Sequence, residues 1–284
     1  MLLRLWKNWR RKARLLGNQH GGGDDRFLAR QLFYPELQEQ ARSGQPQLQP
    51  YEGLSQIWQE YASRWQPDYA PFLDSLAKEL GLELHSVLDL ACGTGTLAGR
   101  LAPVAEEVVG IDSSEPMLVR AREMHSRLPS VRFVHGDFRQ FQLNRHFDAA
   151  ICAFNSLNYL QDARELRQML DSVAKHLRSD GLFLFDTVTE QGMQALSGHF
   201  AHLPVGTRRM AMRCDYDLET RRETVQVILP TGVETHRRIP IGAEELLAAA
   251  EGSELEVFDY FSDALFPGRW LMGNCCFAVL RKRP

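Results

Sequence analysis

The chain has 284 residues, 44% of them hydrophobic, which is enough for one large domain or for a domain with an appendage. Its formal net charge is −3, although residues 1–16 hold six basic side chains and no acidic one. The rest of the chain carries 27 basic and 36 acidic side chains, a balance of −9. This excess of acid argues against a nucleic-acid substrate, because no general positive charge remains to follow a phosphate backbone.

The five cysteines form no C-x-x-C pair, and no set of histidines and acids has the spacing of a metal site. The adjacent Cys275 and Cys276 would point to opposite faces of a strand. We therefore expect reduced thiols, a cytoplasmic protein and no metal. The nine histidines lie in no motif, which predicts surface or ordinary packing positions for them.

Residues 1–50 are predicted to form a basic amphipathic helix and a linker. An apolar stripe recurs there at helical spacing, at Leu2, Leu5, Trp6, Trp9, Ala13 and Leu16. The apolar run at the N-terminus is too short for a signal peptide. Such a stripe usually packs on its own domain or on a second subunit, and this interpretation, with a possible homodimer, is favoured. The alternative is a helix that rests on an anionic membrane surface.

From Val87 onward, apolar strand-like runs alternate with amphipathic segments. The predicted strands are 87–91, 107–112, 131–137, 147–154 and 181–188. Helices are predicted near 96–102, 115–128 and 162–178, and residues 51–80 also have a helical pattern. This alternation is typical of a Rossmann-like, doubly wound parallel α/β sheet.

After Thr189 the pattern changes to strand-like runs separated by short polar turns. It predicts an antiparallel meander over 208–241, a helix over 243–251, and two closing strands over 254–261 and 275–282. The meander follows the fifth strand, at the edge where a substrate would enter, so we expect an inserted substrate cap. Residues 51–284 would then form one domain.

Residues 89–99 read D-L-A-C-G-T-G-T-L-A-G, which fits the G-x-G-x-x-[GA] turn of dinucleotide-binding proteins. Ligands of an open parallel sheet lie beyond the carboxyl ends of its strands, and Asp89, Asp112 and Asp137 stand at three such ends. Clustered carboxylates repel a pyrophosphate but suit a cofactor with ammonium and sulfonium charges. The acids thus favour a cationic nucleoside, with an NAD-dependent dehydrogenase as the alternative.

Five motifs, in this order and spacing, resemble the class I S-adenosylmethionine-dependent methyltransferases. They are V-L-D-L-A-C-G-T-G-T, V-V-G-I-D-S-S-E-P-M-L, V-H-G-D-F, F-D-A-A-I-C-A-F-N-S-L-N-Y-L and G-L-F-L-F-D. The resemblance covers residues 51–189 and, more loosely, the last two strands. It implies a seven-stranded sheet with an antiparallel final hairpin and S-adenosylmethionine as the cofactor. Methyl transfer is an in-line displacement, for which the protein mainly supplies alignment and a dry site.

The resemblance also implies which residues bind the cofactor. The backbone of Ala91, Gly93 and Gly95 would lie against the methionyl part, with Asp89 near its ammonium group. Asp112 would accept the ribose hydroxyls, Met117 would lie on the adenine, and Asp137 with Phe138 would hold its amino edge. Tyr51, Trp58 and Tyr159 would lie near the sulfonium, which aromatic faces stabilise, and Phe154 would also contact the cofactor. Structural alternatives remain open: a helix cap for Asp112, a turn for Asp137, and packing for Ala91, Met117, Trp58 and Phe154.

The segment F-N-S-L-N-Y-L at 154–160 resembles the stretch after the fourth strand in small-molecule N-methyltransferases. Asn155 and Asn158 would orient an amine through their amide oxygens, or else bond locally within a turn. A general base would be Tyr159 or an acid of the meander such as Asp215 or Asp217. The sequence predicts methyl transfer to a small-molecule amine, with a small-molecule O-methyltransferase as the nearest alternative and a non-catalytic scaffold as the last.

Overall fold

The computed structural model describes residues 44–66, 68–205, 208–262 and 275–284. The basic helix predicted near the N-terminus lies outside these ranges, as do residues 17–43 of the predicted linker. Residues 44–50 of that linker are described, and two of them form a strand, Gln47–Leu48. None of the helices in the described ranges is long and apolar enough to cross a membrane.

The described residues form twelve strands. They are β1 (Gln47–Leu48), β2 (Ser86–Leu90), β3 (Glu107–Asp112), β4 (Val131–His135), β5 (Phe147–Cys152), β6 (Leu177–Val188), β7 (Phe200–Val205), β8 (Arg208–Asp217), β9 (Arg222–Leu229), β10 (Gly232–Arg238), β11 (Leu255–Ser262) and β12 (Cys275–Lys282). The helices among these residues are α1 (Trp58–Trp65), α2 (Ala70–Leu80), α3 (Thr96–Leu101), α4 (Glu115–Met124), α5 (Ala163–His176), α6 (Glu190–Leu196) and α7 (Ala243–Ala250). Two 3-10 turns, Leu54–Gln56 and Ser156–Tyr159, flank the functional region described below.

Seven strands form the central sheet, in the order β11-β12-β6-β5-β2-β3-β4. The pairs from β4 to β6 are parallel, whereas β12 runs antiparallel to both of its neighbours. The predicted doubly wound sheet with an antiparallel final hairpin is therefore confirmed. Because the chain continues from β2 to β3 on one side and reaches β5 on the other, a crevice opens at the carboxyl ends of β2 and β5.

Both faces of the central sheet are covered, so its inner strands are buried throughout and mostly apolar. All residues of β2 and β5 are buried, as in other parallel sheets that lie between two layers of helices. Helices α2 and α3 pack on one face, and α5 and α7 pack on the other. This packing fixes the strand ends at which the candidate site lies.

A second sheet has the order β1-β10-β9-β8-β7. Strands β8, β9 and β10 are the predicted meander. The sequence did not predict β7 or β1, because β7 contains Pro204, which weakens a strand pattern, and β1 has only two residues. Strand β1 pairs in parallel with β10, so the segment before the first helix is bound to the inserted sheet.

Helix α5 begins at a side-chain cap that provides a test of the local structure. Asp162 accepts a hydrogen bond from the Glu165 backbone N–H at 2.8 Å. Asp162→Ala is expected to lower the free energy of unfolding by about 1 kcal/mol, because one helix N–H loses its partner. Arg164→Ala is the control, since Arg164 is exposed and 3.8 Å from Asp162. Urea denaturation of both variants measures the difference, and equal midpoints would contradict the cap.

Candidate active site

The glycine turn between β2 and α3 has three residues in the left-handed backbone region. The φ angles of Ala91, Gly93 and Gly95 are 53°, 56° and 75°. A Cβ atom on Gly95 would lie 2.5 Å from the ring of Phe133, so this position requires glycine for both its conformation and its packing. The turn thereby brings backbone close to whatever occupies the crevice.

Asp89 is a buried acid immediately before this turn. It is 2% exposed, and its Oδ2 atom has no hydrogen-bond partner among the described residues. Burial and the nearby Asp112 raise the pKa of Asp89 to about 8, although the Ala98 backbone N–H opposes this. A buried carboxylate oxygen without a partner is costly, so this position favours a ligand that brings positive charge.

Asp112 ends the neighbouring strand β3 and reaches back to the glycine turn. It accepts hydrogen bonds from the backbone N–H groups of Gly93 and Ser114, each at 2.8 Å. Burial raises its pKa, and these two hydrogen bonds oppose the rise. The bond to Ser114 is the cap-like contact that the sequence left open, while the bond to Gly93 places the carboxylate at the crevice.

The third acid, Asp137, is paired with a cation that the sequence analysis did not consider. The Arg139 guanidinium bonds both carboxylate oxygens of Asp137 and also Glu165. Burial raises the pKa of Asp137, but the hydrogen bonds from Arg139 outweigh this and hold it below its usual value. Arg139 therefore offsets the charge of Asp137, so the predicted cluster of carboxylates is less negative at this edge of the crevice.

Two residues predicted at the adenine lie in apolar surroundings. Met117 is 1% exposed within α4, and Phe138 packs against the helix-covered face of the central sheet. Their contact with a cofactor stays a prediction, and packing within the protein already explains why apolar side chains stand at these positions.

The opposite edge of the crevice follows β5 and has an unusual backbone. Phe154 and Asn155 have φ angles of 65° and 61°, a conformation that non-glycine residues seldom adopt. Asp186, at the end of β6, accepts the Asn155 backbone N–H at 3.2 Å. Burial raises the pKa of Asp186 to about 6. The strained pair is thus held in place from the neighbouring strand.

The two asparagines that were predicted to orient the amine differ in the hydrogen bonds of their side chains. Asn155 Oδ1 is buried and has no partner among the described residues. By contrast, the Asn158 amide donates to the Val188 and Ile239 carbonyls and accepts from the Val188 N–H, each at 2.8 Å. Asn158 is completely buried and these bonds join β6 to the residue after β10, which favours a packing role, while its amine-orienting role stays a prediction.

A cavity lined by aromatic and aliphatic side chains lies between the segment 51–61, the end of β5 and the inserted sheet. It has a volume of about 100 Å³. Its aromatic residues are Tyr51, Trp58, Tyr61, Phe154 and Tyr159. Trp58 also lies against the glycine turn, since a Cβ atom on Gly93 would be 3.1 Å from its Nε1 atom. The cavity and the crevice are therefore neighbours that share Trp58.

Sequence reasoning missed three polar residues of β10 that face this region. Glu234 and His236 are 0% and 2% exposed, and His236 and Arg238 line the cavity. Arg238 is paired with Glu223, which is buried on β9. His236 has a buried packing position, as predicted for the histidines, and it also lines the cavity. The every-second-residue spacing of Glu234, His236 and Arg238 was a signal that they share one face.

The predicted meander acids are not in this cavity. Asp215 is paired with Arg213, and Asp217 accepts the backbone N–H groups of Glu219 and Thr220 in a turn. Both residues line a separate surface depression. The proposed role of Asp215 or Asp217 as a general base is therefore not supported by their positions.

Comparison with known proteins shows which family the region around the site resembles. The model of the methyltransferase domain family matches residues 87–181, which run from β2 through the glycine turn into β6. These residues are therefore similar to a methyltransferase domain. The match includes Asp89, Asp112 and Asn155, so these three residues of the crevice lie within the matched region.

Relatives of the methyltransferase domain include enzymes that modify amines. The dTDP-3-amino-3,4,6-trideoxy-alpha-D-glucopyranose N,N-dimethyltransferase of Streptomyces venezuelae is 38% identical over 104 residues, which are 37% of this chain and 43% of that enzyme. The glycine/sarcosine N-methyltransferase of Aphanothece halophytica is 34% identical over 141 residues, 48% of this chain and 52% of that enzyme. The chain spans about half the length of the curated relatives it matches.

The likeness of the fold extends beyond the methyltransferase domain. A crystal structure of an S-adenosylmethionine-dependent methyltransferase from Clostridium acetobutylicum superposes with a TM-score of 0.70, at 20% identity. The match covers 82% of this chain and 99% of that one. At this identity the superposition establishes the shared architecture.

Proposed function

We propose that this protein transfers a methyl group from S-adenosylmethionine to the nitrogen of a small-molecule amine. The choice of S-adenosylmethionine as cofactor rests on the Oδ2 atom of Asp89. This atom is buried beside the glycine turn, within the region that matches a methyltransferase domain, and has no hydrogen-bond partner among the described residues. A cofactor with an ammonium group would supply the missing hydrogen-bond donor and the positive charge. The cofactor contributes an activated methyl group on its sulfonium.

The residues of the crevice fit that group. Asp89 would hold the ammonium, the glycine turn would lie along the methionyl chain, and Asp112 would accept ribose hydroxyls. Trp58 and Phe154, whose ring centroids are 5.6 Å apart, would enclose the sulfonium side. The protein then contributes alignment and the exclusion of water, which are the main needs of an in-line displacement.

The acceptor half of the proposal depends on the neighbouring cavity. Its aromatic faces stabilise a cation, and the unpartnered Asn155 Oδ1 is an acceptor for an amine N–H. The one arginine that lines the cavity among the described residues, Arg238, is engaged by Glu223. The cavity therefore suits the amine-bearing end of a small molecule. The relatives' names, which specify amino sugars and glycine or sarcosine, agree with nitrogen as the methylated atom.

Calorimetry with S-adenosylhomocysteine tests the cofactor. We expect saturable binding of one molecule per chain, and no competition by reduced nicotinamide dinucleotide. If no heat of binding is detected at high micromolar concentration, the cofactor assignment is wrong.

A labelled-methyl screen tests the acceptor. Paired compounds that differ only in carrying an amine or a hydroxyl at the same position should be supplied with labelled S-adenosylmethionine. We expect label on the amine of each accepted pair. Transfer to the hydroxyl members instead would identify an O-methyltransferase.

Removal of the Asn155 amide is expected to affect the acceptor alone. Asn155→Gly suits the positive φ angle, so the backbone remains unstrained while the side-chain acceptor is lost. The loss of one hydrogen bond should lower kcat/KM for an accepted amine by roughly 3- to 10-fold. The affinity for S-adenosylhomocysteine should stay unchanged. A parallel loss of that affinity would show that Asn155 supports the cofactor side.

A further inference from the structure

The cavity contains a buried chain of hydrogen bonds that ends on a carboxylate. Tyr159 Oη lies 3.1 Å from His236 Nδ1, and His236 Nε2 lies 3.1 Å from Glu234 Oε2. Tyr159 and His236 both line the cavity, and His236 and Glu234 are almost completely buried. The chain therefore connects the acceptor cavity to a negative charge within the inserted sheet.

The carboxylate fixes the direction of these hydrogen bonds. Glu234 also accepts the backbone N–H groups of Tyr51, Gly53 and Leu54, at 2.7 to 2.8 Å, so it acts as an acceptor throughout. His236 Nε2 must then donate to Glu234. In the neutral ring Nδ1 is left as an acceptor, and the Tyr159 hydroxyl donates to it.

An amine acceptor has to lose a proton in the reaction. Most small amines are ammonium ions at neutral pH, and an ammonium has no lone pair to attack a methyl group. Among the described residues that line the cavity, His199 and His236 carry a ring nitrogen that can accept a proton, but His199 is exposed to solvent. Cys214 is a poor alternative, since burial raises the pKa of its thiol to about 11.

We propose that His236 accepts the proton of the acceptor amine through the hydroxyl of Tyr159, and that Glu234 stabilises the imidazolium that forms. This rests on the proposed amine methylation. The ammonium gives its proton to Tyr159 Oη as the Tyr159 hydroxyl proton passes to His236 Nδ1. The neutral nitrogen then forms its bond to the methyl carbon, the carbon–sulfur bond breaks and its electron pair stays on sulfur. His236 returns the proton to solvent after product release, so the balance is one proton released for each methyl group transferred.

The surrounding groups are compatible with this path. Burial raises the pKa of Tyr159, so its hydroxyl passes a proton on and does not remain a phenolate. The titratable and charged groups that surround the chain are Tyr51 before α1, His199 before β7, Cys214 on β8, Glu223 on β9 and Arg238 on β10. Because Glu223 neutralises Arg238, Glu234 is left as the charge that favours an imidazolium.

Nitrogen NMR of the histidine rings, in the full chain with S-adenosylhomocysteine bound, tests the starting state. At neutral pH we expect His236 in the neutral form with its proton on Nε2, and His236→Gln identifies its signals. A doubly protonated ring, or a proton on Nδ1, overturns the proposal. This measurement needs no acceptor, so its outcome is separate from that of the methyl-transfer screen.

Kinetics with an amine accepted in the screen test the proton transfer itself. Tyr159→Phe and His236→Gln should each lower kcat/KM at neutral pH by about 100-fold, with S-adenosylhomocysteine affinity unchanged. The deficit should shrink to within about threefold at a pH above the amine's own pKa, where the amine is already neutral. His146→Gln is the control, because His146 is exposed before β5 and outside the cavity, and it should match the wild-type pH profile. A deficit in Tyr159→Phe and His236→Gln that is constant with pH overturns the proposal and indicates a structural role.

Discussion

The affinity for S-adenosylhomocysteine is expected to rise roughly tenfold per pH unit between about pH 6 and about pH 7.5, and to level off above about pH 8. The reason is the pKa of Asp89, which burial and the neighbouring Asp112 raise to about 8 in the protein without ligand. Asp89 must then lose a proton to pair with an ammonium group. Calorimetry in buffers of different ionisation enthalpy should detect close to one proton released per cofactor analogue bound at neutral pH.

Asp89→Asn is the matched variant, because it keeps the shape and removes the ionisation. We expect its affinity at pH 8 to be about 10- to 100-fold lower than that of the wild type, and nearly independent of pH from 6 to 8. Asp112 and Asp186 remain in this variant, so any pH dependence that persists belongs to them. An unchanged slope in Asp89→Asn would rule out Asp89 as the group that titrates.

The same raised pKa has an opposite consequence for the stability of the unliganded protein. A carboxyl group whose folded pKa exceeds its unfolded value binds more protons in the folded state. Stability should therefore fall as the pH rises from about 4 to about 8, and Asp89→Asn should reduce that fall. Thermal unfolding across this pH range measures the stability with and without S-adenosylhomocysteine. The stabilisation by the ligand should be largest at high pH.

Replacement of Glu234 by alanine is expected to lower the free energy of unfolding by about 3 to 5 kcal/mol. The Glu234 carboxylate is completely buried and accepts hydrogen bonds from Tyr51, Gly53 and Leu54 and from His236. Its removal would leave three backbone N–H groups buried without partners. We expect the segment 51–57 to detach from the inserted sheet first, which limited proteolysis combined with mass spectrometry would detect.

Thr235→Ala is the control for this prediction, because Thr235 is the next residue of β10 and projects from the opposite face. Its free energy of unfolding should stay within about 0.5 kcal/mol of the wild-type value. Comparable losses in Thr235→Ala and Glu234→Ala would show that β10 is sensitive to substitution in general and that the buried carboxylate has no special role.

The sequence predicted the central sheet well because its signals are local. Each strand of the parallel sheet is an apolar run bounded by turn residues, and each connecting helix has its own periodicity. The turn at Gly93 and Gly95 needs positive φ angles, which makes the glycines visible in the sequence. The second sheet was predicted less fully, since Pro204 obscures β7 and the two residues of β1 have no pattern of their own.

For the functional residues, too, the sequence predicted some properties and not others. Asp89 and Asp112 lie near the carboxyl ends of strands that the sequence predicts, and Asn155 comes just after another, so their place at one edge of the sheet follows from the fold. The hydrogen-bond partners of each polar group do not follow from the predicted fold. Asn158 and Asn155 are three residues apart in the same motif. Yet the side-chain amide of Asn158 bonds to backbone groups through both its nitrogen and its oxygen, whereas Asn155 Oδ1 has no partner among the described residues.

By itself, then, the sequence determined the doubly wound sheet, the glycine turn and the acids beside it, because these depend on periodicity and backbone conformation within short segments. The tertiary structure decided that Glu234 and His236 lie behind Tyr159. The contact between Glu234 and Tyr51 joins residues 183 positions apart. Such pairings arise when two sheets and a helical segment pack together, and alternation along β10 shows that two faces exist without showing which of them is buried.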